Sequence, residues 1–176
     1  MIKAILCVDK QGAIGQNGDM PWGRSFPKDL EYFKKVTLGQ MLTFGRKTSE
    51  SLPFKGGVFP DRSNNVVTSK EDLWDLDYYS EALDLYNWFE DFETIKHHMN
   101  VCSDQGEDTW VVGGASIYEQ FADIIDEWHI TTIDNIYPEA DTFFKVDLTN
   151  FEDTLQYTDV GNGDIDATVS VYRRKR

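Results

Sequence analysis

Asp29 carries the clearest chemical potential in this 176-residue chain. It lies in Pro27-Lys-Asp29-Leu30-Glu-Tyr-Phe33, where proline opens a helix and the third residue is an acid. Asp29 and Phe33 are four apart and share a helix face with Leu30, so the carboxylate sits on an apolar wall. One reading is a first-turn acid that favours the helix dipole. The other is a carboxylate with a raised pKa that grips a pair of N–H groups on an amidine-like ring and assists protonation. Just upstream, Ile14-Gly-Gln-Asn-Gly-Asp-Met20-Pro21-Trp22 is a glycine-rich loop that ends in a large aromatic.

Two further segments share one build, a β run ending in glycine and then a helix start: Met41 to Gly45 followed by Arg46-Lys47-Thr48, and Thr109 to Gly113 followed by Gly114-Ala115-Ser116. Glycine lets a phosphate approach the backbone, and the free N–H groups of a first helical turn attract an anion. Two such turns could hold the two halves of a dinucleotide; each alone also fits an ordinary αβ turn. A nucleotide-hydrolysing loop is excluded, because Gly39 and Gly45 are separated by five residues and Arg46 follows. The Rossmann fingerprint is absent as well, since Gly12, Gly15 and Gly18 are spaced by three beyond the first strand. No metal site is expected: His97 and His98 are adjacent and point apart, and Cys102 brings no fourth ligand. Cys7 lies in an apolar strand, where a thiol is inert packing.

The elements that must position these residues read as strands at Ile2 to Val8, Met41 to Phe44, Asn65 to Thr68, Thr109 to Val112, Trp128 to Ile133, Phe151 to Tyr157 and Thr168 to Tyr172. Helical spacing predicts helices at Pro27 to Val36, Ser80 to Phe92 and Ser116 to Ile125. The expectation is a three-layer αβα fold in one domain over 1–176, with a mixed, mostly parallel sheet of about eight strands. An antiparallel hairpin should close its C-terminal edge.

Net charge is -14 with 31 acidic residues against 17 basic, which argues against nucleic acid and anionic membranes as partners. The charge is uneven. Residues 1–60 carry 9 basic and 5 acidic side chains, net +4, whereas 71–108 hold 12 acids and one Lys among Trp74, Tyr78, Tyr79, Tyr86, Trp88, Phe89 and Phe92. An amphipathic helix with inward aromatics accounts for that acidic stretch, with a partner surface as the other reading. Two cysteines, and no apolar run long enough for a signal peptide or a membrane span, point to the cytoplasm. A monomer is expected.

Taken together, Ile14-Gly15, Met20-Pro21-Trp22, Pro27-x-Asp29-Leu30-x-x-Phe33, Gly45-Arg46-Lys47-Thr48-x-Glu50-Ser51, Arg62, Val112-Gly-Gly-Ala-x-Ile-Tyr118, Thr131-x-Ile133-Asp134 and Asp141-Thr142-x-Phe144 resemble the dihydrofolate reductase family. They run in order from the N-terminus to about residue 145.

The resemblance implies NADPH-dependent reduction of 7,8-dihydrofolate to tetrahydrofolate, with hydride passing to C6 and a proton to N5, in support of one-carbon and thymidylate metabolism. Asp29 would hold the pterin's 2-amino group and ring N–H, Thr131 would bond that carboxylate, and Trp22 and Met20 would shield the reacting atoms. Ile5, Cys7, Leu30, Phe33, Leu52 and Val112 would line the folate pocket, and Arg62 would pair with the glutamate tail.

For NADPH, the loop Ala13, Ile14, Gly15, Asn17, Gly18, Asp19 and Met20 would close over the nicotinamide beside Cys7. Gly45, Lys47 and Thr48 would form one phosphate cradle and Gly113, Gly114, Ala115, Ser116, Ile117 and Tyr118 the other. Arg46, Thr68 and Ser69 would surround the 2'-phosphate, which favours NADPH over NADH. The alternatives are a related reductase of a pyrimidine or pterin-like ring, or a non-catalytic dinucleotide-binding protein of the same fold.

Overall fold

The structure, a computed structural model, describes residues 1–80 and 85–176, with backbone alone for 75–80. In chain order its elements are β1 (Ile2–Val8), β2 (Ala13–Gly15), α1 (Pro27–Thr37), β3 (Met41–Gly45), α2 (Arg46–Ser51), β4 (Ser63–Val67), β5 (Asp75–Ser80), β6 (Leu85–Glu90), α3 (Phe92–Asp104), β7 (Thr109–Gly113), α4 (Ala115–Phe121), β8 (Glu127–Ile133), β9 (Thr142–Phe143), β10 (Phe151–Asp159) and β11 (Ala167–Arg174).

Among the described residues nine strands form one sheet in the order β10-β11-β8-β1-β7-β3-β4-β6-β5. The neighbours from β8 through β6 run parallel, while β11 pairs antiparallel with β8 and β10, and β5 with β6. The mixed sheet and its antiparallel C-terminal edge are as the apolar pattern requires. A short second sheet joins β2 to β9.

Burial on both faces of the central strands explains their continuous apolar runs. On β1, Ile2, Ala4, Leu6 and Val8 join a core with Ile95 and Met99 of α3, Ile117 and Phe121 of α4, and Trp128 and Ile130 of β8. The alternate residues Ile5 and Cys7 face the other side, where Tyr32, Phe33 and Val36 of α1 pack. The period of two on β8 likewise sends Trp128 and Ile130 to one face and Glu127, His129, Thr131 and Ile133 to the other.

The helix expected from Ser80 to Phe92 is corrected. Residues 81–84 lie outside the described residues, but Leu85–Glu90 is strand β6, paired parallel to β4 from Asn64↔Asn87 to Val67↔Glu90. Aromatic residues on both of its faces, Tyr86 and Trp88 on one and Phe89 on the other, make a half-buried strand look like a helix by spacing alone. Tyr86 and Trp88 pack on His98, and Phe89 joins the opposite core. The helix instead starts at Phe92, capped by Asp91, whose Oδ1 accepts from the Thr94 N–H at 3.0 Å. Asp91-x-x-Thr94 was the available signal for it. Among the described residues no helix is long and apolar enough to cross a membrane, and no cluster of His, Cys, Asp or Glu could hold a metal.

Candidate active site

A cleft of ≈ 1650 Å³ opens where β1, β3 and β7 end and α1, α2 and α4 begin. That exceeds the space one small ligand needs and suits two bound side by side. In parallel αβ sheets, ligands gather at this carboxyl end of the strands.

At one end, Asp29 extends from the first turn of α1 toward Thr131 of β8. The Thr131 hydroxyl donates to Asp29 Oδ1 at 2.6 Å, joining residues 102 apart in sequence. The Cys7 thiol also stands beside this carboxylate, reached through the α1-facing side of β1. Burial raises the Asp29 pKa above the ordinary carboxylate range, against the smaller opposing pull of the Thr131 and Cys7 hydrogen bonds. The Cys7 thiol is pushed up too, first by burial and then by the Asp29 charge, so it remains an unreactive wall atom. Ile5, Leu30, Phe33, Leu52 and Val112 complete this apolar end.

At the other end the two glycine turns converge. A Cβ placed on Gly114 would lie 3.6 Å from Thr48 Oγ1, so the start of α4 and the start of α2 face each other closely. A Cβ on Gly45 would meet Ile117 Cγ1 at 3.0 Å, and Gly113 has φ +117, a conformation only glycine adopts readily. Gly113 and Gly114 are joined by a cis peptide bond. Arg46, Lys47, Thr48, Thr68, Ser69, Ala115, Ser116, Ile117 and Tyr118 line the same cleft. Arg46 is held by an ion pair to Glu50, one turn along α2. The Tyr118 hydroxyl donates to the Ile5 carbonyl at 2.7 Å, tying α4 to β1 between the two ends.

The loop between β1 and α1 borders the cleft through Ile14, Gly15, Gly18, Asp19 and Met20. It is tethered from outside, where the Asn17 N–H donates to Asp141 Oδ2 at 2.8 Å and the Asp141 N–H to the Gly15 carbonyl at 3.0 Å. A Cβ on Gly15 would fall 2.9 Å from Thr142 Cβ, so this approach requires glycine.

Four residues expected at the site do not line the cleft. Ala13 is fully buried, Asn17 faces outward toward Asp141, Thr131 stands behind Asp29, and Trp22 packs edge-on against Tyr137 at 5.5 Å. Arg62 does line it, but most of its donors are engaged: Nε and Nη2 with Thr37 Oγ1 at 3.3 and 3.1 Å, Nη2 with the Lys34 carbonyl at 2.9 Å, and Nη1 with the Pro60 carbonyl at 2.8 Å. One Nη1 hydrogen lies beyond those contacts, enough for a single charged hydrogen bond rather than a full fork. Sequence reasoning missed Arg24, Lys34, Phe54 and Phe59 as lining residues, along with Asp91, Phe92 and Glu93 at the start of α3.

A sequence model of the family described as Dihydrofolate reductase matches residues 1–174. The chain belongs to the dihydrofolate reductase family. It is 35% identical over 152 residues to the dihydrofolate reductase of Bacillus subtilis (strain 168), covering 86% of this chain and 80% of that one. It is 34% identical over 151 residues to that of Mycoplasma genitalium, covering 86% and 87%. A solved dihydrofolate reductase from Enterococcus faecalis, complexed with NADP(H) and RAB-propyl, superposes with a TM-score of 0.78 at 28% identity, covering 100% of this chain and 97% of that one. NADPH is the cofactor of this family, and two facing glycine turns with Arg46, Thr68 and Ser69 beside them are a donor set that fits a dinucleotide carrying an extra phosphate.

Proposed function

We propose that the residues of this cleft divide the family's reaction, the NADPH-dependent reduction of 7,8-dihydrofolate to tetrahydrofolate, into a binding end and a proton-handling end. NADPH supplies the hydride that arrives at C6 of the pterin. The single observation that carries the assignment is the 2.6 Å bond from Thr131 to Asp29, a half-buried ionisable group at the apolar end of a cleft shared with both glycine turns.

Asp29 holds the pterin's 2-amino group and ring N–H, a pair matched to two carboxylate oxygens. Thr131 donates to one of those oxygens and fixes the plane of the carboxyl group. Because burial favours the protonated form, Asp29 keeps a proton available near the reacting ring at a pH where an exposed carboxylate has lost it, and so favours protonation at N5. Ile5, Cys7, Leu30, Phe33, Leu52 and Val112 exclude water from that end, and Met20 closes it from the loop side. Trp22 acts from behind the wall, as a buried brace that sets the course of the chain between the loop and α1.

Arg62 offers one charged hydrogen bond to the glutamate tail. Gly45, Lys47 and Thr48 on one side and Gly113, Gly114, Ala115 and Ser116 on the other would hold the pyrophosphate, and Arg46, with Thr68 and Ser69, would take the 2'-phosphate. The loop from Ala13 to Met20 opens and closes over the nicotinamide, with Asp141 as its outer catch. The chain works as one domain and a monomer in the cytoplasm, with no nucleic-acid partner, its net charge of -14 opposing polyanions.

The test is to mix purified protein with NADPH and dihydrofolate and follow NADPH absorbance. Turnover that saturates in both is expected; none at saturating substrate overturns the reading.

A further inference from the structure

The seam between α1 and β8 has a second rung that the chemistry above leaves unused. Tyr32 lies one turn beyond Asp29 on α1, and His129 lies two residues before Thr131 on β8, so both pairs meet on the same faces. The Tyr32 hydroxyl is 2.7 Å from His129 Nδ1, and His129 Nε2 is 2.8 Å from Glu127 Oε1. Arg173 of β11 closes the chain, with Nη2 and Nε donating to Glu127 Oε2 at 2.6 and 3.0 Å. His129 and Glu127 are 9% and 4% exposed, and the edge of Trp110 packs on the imidazole at a ring separation of 4.9 Å.

Each donor in this chain has one acceptor. Tyr32 keeps its proton, because burial and then the Glu127 and Asp29 charges push the phenol up to about 12. Its O–H can therefore donate to Nδ1, and Nε2 stands 2.8 Å from a Glu127 carboxylate that the hydrogen bonds from His129 and Arg173 hold at about 2.

We propose that Tyr32 and His129, backed by Glu127 and Arg173, are positioning residues for Asp29: this hydrogen-bonded chain, buried at His129 and Glu127, clamps α1 onto β8 and keeps water away from the carboxylate. The inference rests on the role given to Asp29 above. Without the clamp, the Asp29–Thr131 bond is the sole polar tie among those described between α1 and β8, and the helix can lift by the small distance a water needs. Around Asp29 itself stand Cys7 from β1, Thr131 from β8 and Tyr32 from α1, with Tyr118 of α4 beyond Cys7. The charges of Glu127, Arg173 and Lys3 lie at the far end of the chain. None of these is a cation in contact with Asp29, so burial governs its protonation and hydration is what the clamp controls.

The test uses Tyr32→Phe, His129→Leu and His129→Gln, the last keeping one acceptor and one donor in place of the ring. The Asp29 carboxyl is titrated by infrared spectroscopy in ligand-free protein, as the difference between each variant and the same variant carrying Asp29→Asn. Tyr32→Phe and His129→Leu should each lower the Asp29 midpoint by ~0.5–1 unit as water enters. The double variant should add nothing further, and His129→Gln should restore most of the wild-type midpoint. The pH profile of kcat/KM should move with it while NADPH affinity changes less than about twofold. An unmoved midpoint in both single variants, with only a lower Tm, overturns the proposal, as do independent and additive shifts in the double variant. A wild type with no turnover would overturn the functional reading instead, and the infrared midpoints would still decide the clamp.

Discussion

Asp29 and Glu127 are two carboxylates on one seam, and the molecule treats them in opposite ways. Both face the space between α1 and β8, Glu127 buried and Asp29 half-buried. Glu127 has a guanidinium and an imidazole aimed at its two oxygens, and its pKa falls to about 2. Asp29 has a hydroxyl and a thiol, neither of them charged, and its pKa rises. The difference teaches that depth alone does not set protonation here: the partners decide whether a buried carboxylate is locked as an anion or left able to take a proton. On the proposed reading the locked end serves structure and the unlocked end serves chemistry.

Replacing the unlocked acid should have the largest effect. Asp29→Asn should lower turnover at neutral pH by ~10²- to 10⁴-fold, the usual span for losing a positioned proton donor, while NADPH binding stays near normal. Part of the activity should return at low pH, where the substrate arrives already protonated; steady-state rates across pH check both points. Wild-type turnover in this variant would remove the contrast.

On stability the two ends should part in sign. A carboxyl whose folded pKa is raised binds its proton more tightly in the native state, so folding loses free energy as pH rises through the gap between the unfolded and folded values. Asp29→Asn should therefore gain in Tm relative to wild type as pH climbs through that window, and gain nothing below it. Glu127→Gln should do the reverse. Its depressed pKa contributes stability that is complete above the ordinary value of 4.5 and is lost as pH falls toward about 2. Denaturant melts of Glu127→Gln should show a loss of about 1–3 kcal/mol at neutral pH that shrinks in acid.

A smaller effect is expected far from the seam. Arg46→Ala should weaken NADPH binding about tenfold and leave NADH nearly unaffected, as measured by titration, because the guanidinium meets only the extra phosphate. Equal losses for both cofactors would remove that assignment and leave Arg46 as a partner of Glu50 alone.

What could be read from the chain alone follows from how local each signal is. Gly45 and Gly113-Gly114 announce themselves because glycine at a strand end is a local fact, and β1 and β7 because an unbroken apolar run is one too. The Asp29–Thr131 bond spans 102 residues, so the residues suggested a carboxylate on a wall and only the family resemblance supplied its partner. Leu85–Glu90 misled because aromatic residues on both faces of a half-buried strand imitate helical spacing. The same reading then hid the start of α3 and its place at the cleft. Tyr32, His129 and Glu127 gave no local signal at all: each is an ordinary polar residue until the register Arg173↔Glu127 and the packing of α1 bring them together. Arg62 lines the cleft, but the Thr37 hydroxyl and the Lys34 and Pro60 carbonyls that occupy most of its donors are visible only once the chain has folded.

The central claim is that burial without a countercharge makes Asp29 the proton-handling group of the cleft. Its most direct test is the pH dependence of kcat/KM for dihydrofolate with NADPH, measured side by side for the wild type and Asp29→Asn. The wild-type rate should fall as pH rises through an inflection above the ordinary carboxylate value, and that inflection should be gone in the variant. The same inflection in both proteins, or one at the ordinary carboxylate value in the wild type, would contradict it.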